Sequence, residues 1–301
     1  MTYRPYQLPS SPESPHPASV LKGIVLMAFA TACAAGMNIL VKQLSIDLHP
    51  YVIGFFRSLF GLIVLLPLFL RSVGMSQLKT KRLKLHFTRS FFHLVAMLAN
   101  IFAIGLAPLA KVVAIKFSGP LFASILAIIW LRERIHARRA TALLFGFAGM
   151  LIIVQPGALS LEPGIAFAVI SSASWAFMAI SIKHLSKTES SITMTIYTSL
   201  ITTPLVLLLA LGHWQLPNLE QFALLLALGL LGSLENICVA EAYKNGDVTV
   251  ITPLDFLKLV WVAFLGFVVF GEIPTIWTWV GGMMIFSATA YIAYREQRLN
   301  K

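Results

Sequence analysis

The sequence predicts an all-α integral membrane protein: ten transmembrane helices built as two inverted five-helix repeats around a central cavity. Three observations carry this expectation: an apolar composition, ten apolar runs of spanning length, and an internal repeat. The 301 residues are 58% hydrophobic and 12% charged, with a mean hydropathy of +0.83, against about 25% charged residues in an ordinary soluble domain. One water-solvated core cannot cover that much apolar surface. The net charge of +11 invites comparison with nucleic-acid binders, yet the Lys and Arg residues sit in short connectors between apolar runs. The expected partner is therefore the lipid bilayer and no nucleic acid.

An apolar helix needs roughly 20 residues to cross the hydrocarbon core. Spans are expected near 20–43, 51–71, 87–107, 112–131, 139–155, 164–184, 191–211, 221–243, 248–270 and 276–294. The connectors are too short to form a domain in water, so function is expected between the helices. Residues 1–18, with Pro5, Pro9, Pro12, Pro15 and Pro17, show no signal-peptide pattern and read as a disordered cytoplasmic tail. Cys33 and Cys238 lie inside apolar segments without partners at metal-ligand spacing and read as small hydrophobes.

Positive charge sets orientation. The second connector holds Arg71, Lys79, Lys81, Arg82, Lys84 and Arg89, and the fourth holds Arg132, Arg134, Arg138 and Arg139, whereas the third and fifth carry only Lys111. Both termini are thus expected in the cytoplasm, with 296–301 as a second cytoplasmic tail. Trp214, Trp277 and Trp279 fall at expected outer boundaries, and Trp130, Tyr291 and Tyr294 at inner ones.

GIVLMAFATACAAGMNILVKQLS from Gly23 aligns without gaps to GIAFAVISSASWAFMAISIKHLS from Gly164, with nine identities in twenty-three positions. WLRERI at Glu133 and VFGEIP at Glu272 align at an offset of 139 residues. Two units follow, 19–156 and 157–295, each with five helices. An odd number of spans per unit makes the halves enter the membrane from opposite sides, and substrate sites in such folds form near the midplane.

The stretch AIKFSGPLFASILAIIWLRERI, followed by FGFAGMLIIVQPG, and the later TPLDFLKLVWVAFLGFVVFGEIP resemble the drug/metabolite transporter superfamily in its EamA branch, over about residues 20–295. The resemblance implies ten helices, a cavity shared by both repeats, alternating access without ATP, a place in the cell inner membrane and no cofactor. Similar signatures occur in exporters of amino acids and metallophores and in importers of riboflavin or S-adenosylmethionine. Lys116 departs from the family pattern, which has a small or hydroxylated residue there, and that bears on the charge of the substrate.

A charge at the bilayer centre costs at least about 2.5–3.5 kcal/mol, so such residues face a cavity or a partner. Six qualify: Arg57, Lys116, Glu235, Glu241, Asp255 and Lys258. Glu235, roughly 12 Å from the inner end of the eighth helix, and Asp255 and Lys258, roughly 10 and 15 Å into the ninth, share a depth. Asp255 and Lys258 are spaced to pair, either as a structural lock or with Lys258 meeting a substrate carboxylate while Asp255 or Glu235 carries a coupling proton or meets an amine. Lys116 and Arg57 either face the cavity or snorkel to the surface. Glu241 reads as interfacial.

Asn100 is a candidate because a buried amide needs partners, with a helix–helix hydrogen bond as the alternative for it and for Asn38. Trp175 and Trp261 are candidates for stacking or for packing, and His93 for a structural hydrogen bond. Ser171, Ser172, Ser174, Gly146 and Gly149 read as close-packing residues. The expected substrate-binding or coupling set is therefore Glu235, Asp255, Lys258, Lys116, Asn100 and Trp175, with no catalytic or metal-binding residue. No HExxH, GxSxG or phosphate-binding loop is present. The expected function is export of a small anionic or zwitterionic metabolite, with import of a vitamin or nucleoside-like compound as the alternative; a membrane-embedded enzyme and a non-transporting subunit rank below both. A proton is the expected coupling ion, and a homodimer is left open.

Overall fold

The computed structural model describes residues 17–72, 80–131, 137–155, 162–185, 188–189, 191–245 and 254–299. These form eleven helices: α1 Pro17–Leu44, α2 Pro50–Ser72, α3 Leu83–Leu106, α4 Leu109–Lys116, α5 Gly119–Leu131, α6 Ala137–Val154, α7 Pro163–Leu185, α8 Ser191–Leu211, α9 Leu219–Asn245, α10 Leu257–Phe270 and α11 Ile276–Leu299. Among the described residues, six helical stretches are long and apolar enough to cross a membrane, α4 and α5 counting as one. Large side chains such as Leu21, Leu208 and Phe267 are more than half exposed on the exterior. A lipid-facing surface requires this, since helices satisfy their own backbone groups and need no polar solvent.

The ends of the helices follow local chemistry. Proline opens α1, α2 and α7, where its missing N–H costs nothing. Gly271 closes α10 at φ 69°, the left-handed geometry that glycine adopts without a Cβ penalty. The expected fourth span, 112–131, is broken into α4 and α5 at Phe117–Ser118. Pro120 has no N–H for the Lys116 carbonyl, and the Ser172 hydroxyl on α7 donates to that carbonyl instead, at 3.2 Å. The ninth span, expected over 248–270, shows a matching break: Asp255 and Phe256 form a turn before α10 begins. Residues 248–253 of that expectation lie outside the described residues.

Helix α1 packs on α9, α3 on α7, α2 on α8, α6 on α11 and α4 on α10. Small residues bring some of these backbones close. A Cβ on Gly281 would stand 2.4 Å from the Gly149 carbonyl oxygen, and one on Gly149 2.7 Å from that of Gly281. Gly281→Ala is therefore expected to destabilise the fold by about 1–3 kcal/mol, seen as a lower thermal midpoint in detergent. Gly212→Ala, with nothing within 4 Å, is the neutral control.

Contacts between connectors define two ends. At the end where α1 gives way to α2, here called upper, His49 stacks on His213 with centroids 4.0 Å apart, and the Gln221 amide donates to Asp47 at 3.4 Å. At the lower end Arg82 donates to the His184 carbonyl at 3.0 Å, and Lys22 lies 4.0 Å from Glu241. Burial, and then the neighbouring His213, push the His49 imidazole below its ordinary value. The folded state thus binds fewer protons than the unfolded one, so this stabilisation is complete above about pH 6.5 and is lost as the pH falls through the depressed value. The thermal midpoint is expected to drop between pH 7.5 and 5.5, and His213→Gln to make that drop shallower.

Candidate functional site

Where the two helix breaks meet, the bundle encloses a chamber of about 450 Å³. Asn38 of α1, Arg57 of α2, Lys116 and Phe117 at the first break, Trp175 of α7 and Glu235 of α9 line it. Asp255, Phe256 and Lys258 at the second break and Phe286 and Thr289 of α11 complete its polar and aromatic wall. Phe117 and Phe256, which occupy equivalent positions at the 139-residue offset, touch across it with centroids 5.5 Å apart. Hydroxyl groups fix the first break to α7: Ser118 and Ser172 lie 3.0 Å apart.

The Lys258 ammonium lies 3.0 Å from an Asp255 oxygen and 3.7 Å from a Glu235 oxygen. The turn at Asp255–Phe256 sets Asp255 one turn ahead of Lys258, and α9 brings Glu235 to the pair from 23 residues earlier in the chain. Lys258 and Glu235 are each about a quarter exposed, to the chamber. Lys116 and Arg57 line the same space, and among the described residues neither has an ion-pair partner within 4.0 Å. Both stand seven residues from the upper ends of their helices, Leu109 and Pro50, roughly 10 Å down. Lys258 stands twelve residues from Phe270, roughly 18 Å down. The chamber thus carries two cations above and a carboxylate–ammonium–carboxylate triad below.

Above the chamber the upper end is tied by a second ion pair. Lys42 at the end of α1 donates to Glu272 in the α10–α11 connection and to the Ala107 carbonyl at 3.2 Å. The other Glu272 oxygen accepts the Leu109 backbone N–H at 2.8 Å, one of the donors that a helix N-terminus leaves open. Pro108, Lys111, Glu162 and Thr275 surround a smaller cavity of about 150 Å³ beside this pair.

Of the six residues expected from the sequence, Glu235, Asp255, Lys258, Lys116 and Trp175 are brought together here. Asn100 is not: it is buried within α3, away from the chamber wall, and its Oδ1 has no hydrogen-bond partner among the described residues. Asn38 and Arg57 stand on the wall. Trp261 and His93 do not. Ser171 does more than pack, since its hydroxyl donates to the Ala96 carbonyl of α3 at 2.8 Å.

The EamA-like transporter family matches residues 21–155 and again 162–294. The chain is 32% identical to an S-adenosylmethionine uptake transporter of Rickettsia bellii, covering 92% of this chain and 94% of the relative. It is 31% identical to a riboflavin transporter of Vibrio cholerae over 93% and 96% of the two chains, and 27% identical to a pseudopaline exporter of Pseudomonas aeruginosa over 88% and 94%. A solved crystal structure shares the fold, with a TM-score of 0.62 at 16% identity over 94% of this chain and 99% of that one. With both halves matched and relatives aligned nearly end to end, this chain is a multi-pass membrane protein and belongs to the EamA-like transporter family.

Proposed function

We propose that the chain is a secondary transporter that takes up a small metabolite bearing a carboxylate, anionic or zwitterionic, by alternating access through the chamber. One observation carries this reading: among the described residues, Lys116 and Arg57 line the chamber with no ion-pair partner within 4.0 Å, while Lys258 is engaged by two carboxylates. A substrate carboxylate between Lys116 and Arg57 gains charge-assisted hydrogen bonds. An amine or other cationic end reaches the triad below, where Glu235 also serves as the carrier of a coupling proton.

The architecture we infer has ten spans in two halves, 19–156 and 157–295, that enter the inner membrane from opposite sides. The lower end and both tails then face the cytoplasm. Exchanging the halves turns the α1–α9 contact into α7–α3, while α2–α8 and α6–α11 map onto themselves, which supports an approximate two-fold relation. The touching of Phe117 and Phe256 supports the same relation. Uptake is favoured because relatives at 30–32% identity are named for it. Export is the second reading, favoured by the pseudopaline exporter among the relatives.

Purified protein in sealed liposomes, with S-adenosylmethionine, which bears a carboxylate, as the first labelled compound and riboflavin, which bears none, as the comparison, tests the proposal under an imposed proton gradient. Accumulation above passive leak is expected, with gradient-driven accumulation lost in Glu235→Gln. Full gradient-driven accumulation in that variant would remove Glu235 from coupling. Flux of no carboxylate-bearing compound in either direction would remove the function.

A further inference from the structure

Four of the seven apolar residues on the chamber wall are aromatic: Phe117, Trp175, Phe256 and Phe286, against Val113, Pro120 and Ala290. A site for flexible aliphatic chains gains nothing from this choice, because branched aliphatic residues fill irregular space as well. Aromatic faces reward flat partners through offset stacking. The three phenyl rings form a connected run, with centroids 5.5 Å apart for Phe117–Phe256 and 4.7 Å for Phe256–Phe286.

Trp175 is set apart from them. The residue is 42% exposed and lines the chamber. Its six-membered ring rests on the one position of α5 that has no side chain: a Cβ on Gly119 would stand 3.0 Å from Cε3 and 3.5 Å from Cζ3. The indole is thus braced by the Gly119 backbone on one side and contributes to the chamber wall. Lys116, one of the two upper cations of the chamber, directly precedes Phe117 in the chain, so the cation and the aromatic wall adjoin.

Building on the carboxylate reading of the chamber, we infer that Trp175, braced by Gly119, is a stacking platform that makes the site select planar, fused-ring carboxylates over non-planar ones of equal charge. Trp175 reads the ring, Lys116 and Arg57 hold the anion, and Gly119 is a positioning residue. Stacking of this kind is worth about five- to tenfold in affinity.

The test is equilibrium binding of 2-naphthoate and decahydro-2-naphthoate to the full purified chain in detergent. The saturated acid is the more apolar of the two, so simple hydrophobic partitioning favours it and works against the expected result. Naphthoate is expected to bind about five- to tenfold more tightly. Trp175→Leu should bring that ratio near one, Trp175→Phe should keep most of it, and Gly119→Ala should reduce it while leaving decahydronaphthoate unchanged. Lys116→Met should weaken both acids equally and leave the ratio intact. Equal binding of the two acids to the unaltered chain overturns the stacking platform but leaves the carboxylate reading standing. Binding of neither acid overturns both. A ratio that survives Trp175→Leu, in a variant with an unaltered thermal midpoint, removes Trp175 from the role.

Discussion

Lys258→Met is expected to lower the thermal midpoint in detergent by several degrees and to reduce substrate flux to background. The substitution leaves Asp255 and Glu235, 3.0 and 3.7 Å from the lost ammonium, without the cation they share. Removing one partner of a fully buried pair costs about 3–5 kcal/mol. These side chains are partly exposed to the chamber, so about 2–4 kcal/mol is the expected loss. Adding Asp255→Asn removes one of the two carboxylates, and the double variant should recover most of the midpoint. Its flux should stay at background, since the charge pattern that meets the substrate is gone. Recovery of both together would make the triad a structural lock with no part in transport.

Glu272→Ala carries the second large effect. It leaves the Lys42 ammonium and the Leu109 N–H without their carboxylate partner, both in a partly buried setting where Lys42 and Glu272 are each 19% exposed. The expected cost is about 3 kcal/mol. Glu272→Gln, whose amide oxygen can still accept the Leu109 N–H, should lose less. Because this pair ties the α1 end to the α3–α4 and α10–α11 connections, loosening it should also speed the reaction of polar thiol reagents with a cysteine placed in the chamber from the upper side. A reaction rate unchanged by Glu272→Ala would limit the pair to stability alone.

Much of this was legible in the sequence, for physical reasons. Apolar runs near 20 residues match the span a helix needs to cross a bilayer, and most helices fall within a few residues of their expected ranges. Charges inside apolar runs are costly enough to be informative, and Lys116, Glu235, Asp255 and Lys258 share one chamber. The break at Phe117–Ser118 had its cause written in Pro120, yet a proline in an apolar run signals only a missing donor; that Ser172 takes over the carbonyl is a tertiary fact. Asn100 shows the opposite limit: polarity within a helix says that a side chain needs a partner, not which face it occupies. Arg57 and Asn38 reached the wall through helix rotation, which nearly uniform apolarity leaves unspecified. The Lys42–Glu272 pair spans 230 residues. Its only trace in the sequence is that the aligned segments of both halves carry a Lys (Lys42, Lys183) and a Glu (Glu133, Glu272).

The central claim is that the chamber between the halves is the path for the substrate. It is tested most directly by placing a cysteine at Thr289, on the chamber wall, in a chain with Cys33 and Cys238, both buried and free, replaced by Ala. A charged, membrane-impermeant thiol reagent is then applied to right-side-out and to inverted vesicles. Modification from both sides is expected, because an alternating chamber opens to each in turn. Modification from neither side, or from one side alone, would contradict it.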